Sequence, residues 1–258
     1  MFYQQRKYFQ FLFKATNQHG VHSPFVYNFV TNSLYKKTNK NLWKTFTSVK
    51  QALKNNKNWI QVLDFGAGSK VFKGNKRQVC KIAQVAGISH QKAQLLIKIT
   101  AYFKPTNILE IGTSLGLGTT AIKIASDHSM ITTLEGCKET SKIAQHLFNE
   151  NNFKNIEIIN GDFLTTLQDV TKKKVYDFVY FDGNHTKQAT LDYFEHCLKT
   201  VHNNSFFIFD DIYWTSEMQE AWSAIKKHSK VRVTVDLFYF GIVFFRKEQA
   251  KEHFKIRV

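Results

Sequence analysis

The residues best suited to chemistry are acids that stand at the ends of short apolar segments. Five such segments end at Glu110, Glu135, Asp162, Asp182 and the pair Asp210–Asp211. A carboxylate can accept hydrogen bonds from ligand hydroxyls, take up a proton or bind a divalent cation. A single acid after a strand could instead cap the next helix. Five in register favour a ligand site, because ligands bind at the carboxyl ends of the strands of an open α/β sheet.

A glycine-rich turn follows the first of these segments. Asn107 to Ile111 has the pattern of a buried parallel strand, and Leu115 to Ala125 carries apolar residues at helical spacing. Gly112, Gly116 and Gly118 allow a tight turn and leave room for a ligand against bare main chain at the start of the helix. The pattern predicts a site for a nucleotide-like cofactor.

The acids after the turn have the spacing of a nucleotide-binding α/β fold. A second strand, Met130 to Leu134, ends in Glu135, which lies 25 residues after the acid of the first strand. A carboxylate in that place can accept hydrogen bonds from both ribose hydroxyls. A third strand, Ile156 to Asn160, leads into the pair Asp162–Phe163 and would bring an acid and an aromatic ring near an adenine.

Two more apolar strands complete the set of acids. Tyr176 to Phe181 ends at Asp182, and Ser205 to Phe209 ends at the pair Asp210–Asp211. Because the two acidic positions are 28 residues apart, they come together only if these strands are neighbours in the sheet.

The last apolar segments predict an antiparallel hairpin. Val231 to Asp236 alternates in polarity, so we expect a strand with one face in water, whereas Gly241 to Phe245 is apolar throughout and should be central. The short link between them favours antiparallel pairing. The basic tail from Lys247 to Val258 has no pattern that indicates a secondary structure.

A second glycine-rich segment resembles the cofactor turn but is not predicted to bind the cofactor. Trp59 to Ser69 imitates the cofactor turn, but no strand ending in an acid follows it at the proper distance. The region from Gly66 to Arg77 is expected to be a polar, basic loop. It could supply Ser69, Lys70 or Arg77 to an anionic substrate, or be a plain surface loop.

Together these motifs resemble the class I S-adenosylmethionine-dependent methyltransferases. The resemblance covers about Lys104 to Arg246 and depends on E-I-G-T-S-L-G-L-G-T, T-L-E-G, N-G-D-F, F-V-Y-F-D-G-N-H and F-I-F-D-D. It implies an α/β fold: a Rossmann-like, mostly parallel sheet of seven strands with an antiparallel last strand and helices on both faces. Residues 1–103 would form a helical N-terminal extension and substrate or lid region, and residues 104–258 the cofactor-binding methyltransferase domain.

The resemblance also implies a site for S-adenosylmethionine. Its members would be Glu110, Gly112, Ser114, Gly116, Glu135, Gly136, Asp162, Phe163 and Asp182. Glu110, Gly112 and Ser114 would hold the methionine portion and Glu135 the ribose. Asp162 and Phe163 would lie at the adenine.

Within that superfamily the chain looks most like the metal-dependent O-methyltransferases. This implies a divalent ion, Mg²⁺ first, held by Asp182, Asp210 and Asp211, which would lower the pKa of a small-molecule hydroxyl. Sugar-modifying relatives would have a basic carboxylate at the position of Asn184, which cannot take up a proton. His185 is the nearest candidate base, so Asp182 and His185 are the predicted catalytic residues. Many related enzymes use an acid after the fourth strand without a metal, to orient an amine or ring nitrogen.

The composition leaves a second substrate class open. The chain of 258 residues has 36 basic and 20 acidic residues, for a net charge of +16. Clustered cations would favour nucleic acid, but these are scattered, and no RNA-binding motif accompanies them. Methylation of RNA or of a protein nitrogen, and binding of the cofactor without catalysis, remain alternatives. With 43% hydrophobic residues and two prolines, the chain is not disordered.

The three cysteines are Cys80, Cys137 and Cys197, and they form no C-x-x-C pair. We therefore expect reduced, mostly buried thiols in a cytoplasmic protein. No segment is apolar enough over about 18 residues to span a membrane, and the first residues lack the features of a signal peptide.

The N-terminal segment predicts an amphipathic helix. Phe2, Phe9, Leu12 and Phe13 could share one face, which would dock on the protein's own core, on a second subunit of a homodimer, or on a membrane surface.

His19 and His22 follow in a turn with Gly20 and Pro24. Two histidines at this spacing could bind a metal on a helix, but the glycine and the proline favour a loop, so a structural loop or lid is expected there.

Overall fold

The computed structural model describes residues 2–63 and 74–258. The helices are α1 (Phe2–Lys14), α2 (Pro24–Phe29), α3 (Lys40–Asn55), α4 (Val79–Val85), α5 (His90–Phe103), α6 (Leu117–Ala125), α7 (Lys138–Glu150), α8 (Phe163–Lys173), α9 (Lys187–Cys197) and α10 (Ser216–Lys227). The strands are β1 (Trp59–Gln61), β2 (Lys76–Gln78), β3 (Asn107–Ile111), β4 (Met130–Glu135), β5 (Ile156–Asn160), β6 (Phe178–Phe181), β7 (Phe206–Asp210), β8 (Val233–Asp236), β9 (Phe240–Phe244) and β10 (Glu252–Lys255).

The chain has the predicted α/β fold, with a mixed, mostly parallel sheet and helices on both faces. It divides into two compact units, one of Lys37–Thr166 and one of Met1–Lys36 with Leu167–Val258. The division into residues 1–103 and 104–258 stays a prediction.

The continuous unit contains the three strands predicted around the glycine turn. β3 pairs with β4 and β4 with β5, both in parallel. β3 and β5 have the predicted bounds, and β4 includes Glu135 as its last residue. β1 and β2 form a separate antiparallel pair that contains Arg77. The turn at Gly66 and the candidate residues Ser69 and Lys70 lie outside the described residues.

The second unit contains five strands in the order β10-β8-β9-β7-β6. β9 runs antiparallel to both β7 and β8, which confirms the hairpin and the central position of the apolar strand. The register of the parallel pair β6 and β7 sets Phe181 beside Phe209, with the two rings stacked 4.2 Å apart. Because the next residue on each strand is an acid, this register brings Asp182 and Asp210 side by side.

Two expectations about this end of the chain were wrong. β8 has no face in water, since all four of its residues are buried. The tail also forms a strand, β10, which pairs in parallel with β8. The strands described in the main sheet therefore number eight and not seven.

The N-terminal helix docks through a different face from the one predicted. Tyr8 and Phe11 pack on Phe238, with ring centroids 4.9 and 5.7 Å away. Phe9 and Phe13 are 60% and 90% exposed, so they do not contribute to the core. After α1, a bridge between Thr16 and Ile256 joins the first residues of this unit to its last strand.

All three cysteines are free and buried, as predicted. No helix in the described part of the chain is long and apolar enough to cross a bilayer.

Gly241→Ala tests the packing of β9. A Cβ at this position would lie 2.8 Å from the ring of Trp222, which is almost fully buried. We expect a loss of about 1–3 kcal/mol in the free energy of unfolding, measured by urea denaturation. Gly74→Ala is the control, because its Cβ would meet no atom of the described residues within 4 Å. Equal effects of the two substitutions would contradict the predicted clash.

Candidate active site

The loop between β3 and α6 has the backbone conformation that the glycine turn predicts. Gly112 and Gly116 have φ values of 103° and 82°, and Ser114 between them has φ 48°. A side chain at Gly116 would also lie 2.7 Å from the ring of Phe148. The loop therefore needs glycine at Gly116 for two reasons, the left-handed backbone and the close approach of α7.

Glu135 fastens this loop to the end of β4. Its Oε2 accepts a hydrogen bond from the Ser114 N–H at 2.6 Å, and its Oε1 accepts one from the Cys137 N–H at 2.9 Å. Burial raises the pKa of Glu135, and the amides of Cys137, Ser114 and Gly136 oppose that rise. Each carboxylate oxygen keeps a further lone pair, so the side chain can still accept from a pair of hydroxyls.

Glu110 is buried completely at the end of β3. Its Oε2 accepts hydrogen bonds from the hydroxyls of Thr119 and Thr133, the second at 2.6 Å. Its Oε1 has no hydrogen-bond partner among the described residues. Burial raises the pKa of Glu110 to about 7, against the two threonine hydrogen bonds, and the charge of Glu135 adds to the rise.

The Oε1 atom of Glu110 could accept a hydrogen bond from a ligand. A buried acceptor without a partner is costly, and a donor such as an ammonium group would satisfy it. The residues of this unit thus fit the methionine and ribose portions of S-adenosylmethionine. The assignments of Glu110, Gly112, Ser114, Gly116, Glu135 and Gly136 to the cofactor stay predictions.

Asp162 follows the capping alternative. It is exposed, and its Oδ1 accepts a hydrogen bond from the Thr165 N–H at 3.1 Å in the first turn of α8. Phe163, the first residue of α8, is half-buried. A contact of either residue with an adenine stays a prediction.

A group of potential metal ligands lies in the other unit, at the carboxyl ends of β6 and β7. One ligand atom each from Asp182, His185 and Asp210 lies within 4.8 Å of the others. His185 Nε2 is 3.6 Å from Asp182 Oδ1, with both side chains about one quarter exposed. Asp210 is buried. Two carboxylates and an imidazole are a donor set that fits a divalent cation.

Asp211, the third predicted metal ligand, is not a member of this group. Its backbone is left-handed, with φ 51°, and its N–H donates to Asp210 Oδ1 at 2.8 Å and lies 3.1 Å from the Tyr239 carbonyl oxygen. The structure thus brings together two of the three predicted carboxylates and adds His185. The ligand role of Asp211 stays a prediction.

His185 reaches the acids because the chain turns sharply before it. Asn184 has φ 48°, and its Oδ1 and carbonyl oxygen accept hydrogen bonds from the Thr186 hydroxyl and N–H. Asparagine tolerates this conformation better than most residues do. The D-G-N-H motif thus forms a tight turn that places the His185 imidazole beside the Asp182 carboxylate.

Sequence reasoning missed a buried pair beside the acids. The Tyr213 hydroxyl donates to Asp236 Oδ2 at 2.6 Å, and burial raises the pKa of both groups. Tyr213 is therefore part of the packed interior of this unit. The alternation in Val231 to Asp236 suggested an exposed acid, so no signal in the sequence pointed to this contact.

His19 and His22 are both exposed and belong to no described metal-ligand group. They lie in a loop that contains a short 3₁₀ helix, Gln18–Gly20. This helix includes His19 but not His22, so the two histidines do not share a helix. This agrees with the expected structural loop.

Comparison with known proteins identifies a methyltransferase domain in this chain. Residues 109–212 match the family model described as a methyltransferase domain. The chain carries a class I S-adenosylmethionine-dependent methyltransferase domain. A comparison with curated proteins found no match.

Solved structures show the same fold for this methyltransferase. An O-methyltransferase from Bacillus cereus, in complex with SAH, is 18% identical with a TM-score of 0.55, and covers 84% of this chain and 96% of its own. TomG, an O-methyltransferase of tomaymycin synthesis from Streptomyces achromogenes, in complex with SAM, is 14% identical with a TM-score of 0.58 and covers 83% and 93%. The SAH-bound Podospora anserina methyltransferase PaMTH1 is 14% identical with a TM-score of 0.57 and covers 79% and 96%.

The raised pKa of Glu110 predicts a pH-dependent stability of the methyltransferase. In the unfolded chain this carboxyl has a pKa near 4.5, and in the folded chain about 7. Folding therefore favours the protonated form, and the wild type loses stability relative to Glu110→Gln as the pH rises from about 4.5 to 7. The loss is about 3 kcal/mol when complete.

Urea unfolding of both proteins at pH 5 and pH 8 measures this difference. Glu157→Gln, a change to an exposed glutamate of β5, is the control and should follow the wild-type curve. Parallel pH profiles for wild type and Glu110→Gln would show that the buried carboxyl does not titrate in this range.

Proposed function

We propose that this methyltransferase transfers the methyl group of S-adenosylmethionine to a hydroxyl oxygen of a small molecule, with a divalent metal bound at the acids of β6 and β7. The observation that carries the proposal is the convergence of Asp182, His185 and Asp210 within 4.8 Å. Hard oxygen donors at such a site favour Mg²⁺ or Mn²⁺. A bound divalent ion would supply Lewis acidity that lowers the pKa of the acceptor hydroxyl.

The residues of the chain would then have separate tasks. Asp182 and Asp210 would hold the metal, with Asp211 as a further predicted ligand, and so fix the position of the acceptor hydroxyl. His185 would take up the hydroxyl proton, because an imidazole nitrogen can act as a general base and its Nε2 lies 3.6 Å from Asp182 Oδ1. Orientation of the oxygen toward the methyl carbon would supply much of the rate enhancement.

The cofactor would bind to the continuous unit. Glu135 would accept from the ribose hydroxyls while it keeps its two amide contacts. The unpaired oxygen of Glu110 would accept from the amino group of the methionine portion. The O-methyltransferases among the similar structures support an oxygen acceptor for this chain. The buried free thiols support a reducing compartment, and thus a cytoplasmic location.

Calorimetric titration with S-adenosylmethionine tests the cofactor site. Glu135→Ala removes the acceptor for the ribose and the fastening of the Ser114 loop, so its affinity should fall by about tenfold or more. Glu157→Ala is the control on the neighbouring strand. Unchanged affinity in Glu135→Ala would remove this residue from the proposed site.

Titration with Mg²⁺ and Mn²⁺ tests the acid group. Asp210→Asn should weaken binding by about tenfold or more, whereas Asp169→Asn, an exposed acid of α8, should leave it unchanged. Release of S-adenosylhomocysteine with a panel of phenol, catechol and sugar acceptors should then require the added metal. Turnover that persists in chelator would contradict metal assistance and leave the cofactor site standing.

A further inference from the structure

A turn between β8 and β9 lies directly against the backbone that carries Asp210 and Asp211. The Asp211 N–H lies 3.1 Å from the Tyr239 carbonyl oxygen, and Asp210 is the register partner of Phe240. The conformation of this turn therefore sets where the chain leaves β7. A shift of the turn would move the carboxylate of Asp210.

Phe238, in the middle of that turn, has a backbone conformation that needs outside support. Its φ is 69°, a value that a bulky residue rarely adopts. Its N–H donates to Asp236 Oδ1 at 2.9 Å, and the other oxygen of that carboxylate accepts from the Tyr213 hydroxyl at 2.6 Å. One buried carboxylate thus ties the turn to the residue that lies two positions after Asp211.

Aromatic rings enclose Phe238 from two sides. The Tyr213 ring is stacked on it at 5.2 Å with an interplanar angle of 13°. From α1, the rings of Tyr8 and Phe11 lie at 4.9 and 5.7 Å. The supports of the strained turn are therefore the segment after β7 and the N-terminal helix, both in the same unit of the chain.

We propose that Phe11 and Phe238 are positioning residues for the acid group. α1 presses Phe238 onto Tyr213, and this contact holds the turn that fixes the backbone of Asp211 and the carboxylate of Asp210. The N-terminal helix then affects the site without touching its ligands. The positioning follows from these contacts, and only its effect on a metal ion rests on the proposed function.

The alternative is that Phe11 merely fills the core. Its removal would then lower the stability of the fold without a selective effect near β7. The helix itself provides the matched control: Phe13 lies two residues away, is 90% exposed, and has the same chemistry. Phe46→Ala, at a fully buried phenylalanine of α3 in the other unit, controls for a general loss of stability.

The test uses two readouts on the full chain with the variants Phe11→Ala, Phe13→Ala and Phe46→Ala. Amide exchange of Asp211, followed by NMR without metal, reports on the backbone at the end of β7. Mn²⁺ affinity, followed by the EPR signal of the free ion, reports on the acid group. Phe11→Ala should speed the exchange and weaken Mn²⁺ binding, each by about tenfold. Phe13→Ala should change neither.

Two results would overturn the proposal. One is wild-type exchange of Asp211 in Phe11→Ala, and the other is an equal change in Phe46→Ala at matched loss of stability. If Phe11→Ala fails to fold, Phe11→Leu decides, because it keeps an apolar side chain but removes the ring that packs on Phe238, and it should also speed the exchange. A wild type that binds no Mn²⁺ would contradict the proposed metal, and the exchange readout would still decide the positioning.

Discussion

The parallel register of β6 and β7 is the constraint on which the acid group depends. Phe181 and Phe209 pair across the two strands and stack, and each is followed at once by an acid. A shift of one residue in this register would turn one carboxylate to the opposite face of the sheet, because side chains alternate along a strand. The buried Phe181–Phe209 pair therefore determines that Asp182 and Asp210 lie close enough to share a ligand.

The cofactor loop shows a different use of buried carboxylates. Glu110 and Glu135 both lie at the ends of strands. The carboxylate of Glu110 accepts hydrogen bonds from threonine hydroxyls, whereas that of Glu135 accepts them from backbone amides. Burial raises the pKa of both carboxyls, and the donors that oppose this rise are chiefly backbone amides at Glu135 and threonine hydroxyls at Glu110. Two glutamates on adjacent strands are thus held by different donors, and of the two Glu110 keeps an unpaired oxygen.

The sequence was most informative where a local pattern decided the structure. β3 and β5 were predicted with the correct bounds, and β4 to within one residue, because an acid or a glycine marks the end of each apolar run. The pattern failed at the end of the chain: the alternation in β8 indicated an exposed face, but all four of its residues are buried, and the tail forms a strand, β10, that no local pattern indicated. The same limit applied to the site. Asp182 and Asp210 were placed together from topology, but the return of His185 depends on a left-handed Asn184, and the Tyr213 contact with Asp236 depends on packing.

The discontinuous unit has a consequence for how this protein is made. Residues 37–166 form one compact unit from a continuous stretch, so they can fold as soon as they have left the ribosome. The N-terminal helix belongs to a unit whose remaining strands are synthesised last. At a synthesis rate of roughly 5–20 residues per second, the turn that contains Phe238 is made on the order of ten seconds or more after Tyr8 and Phe11. During that interval the rings of Tyr8 and Phe11 lack the Phe238 ring on which they pack in the folded protein.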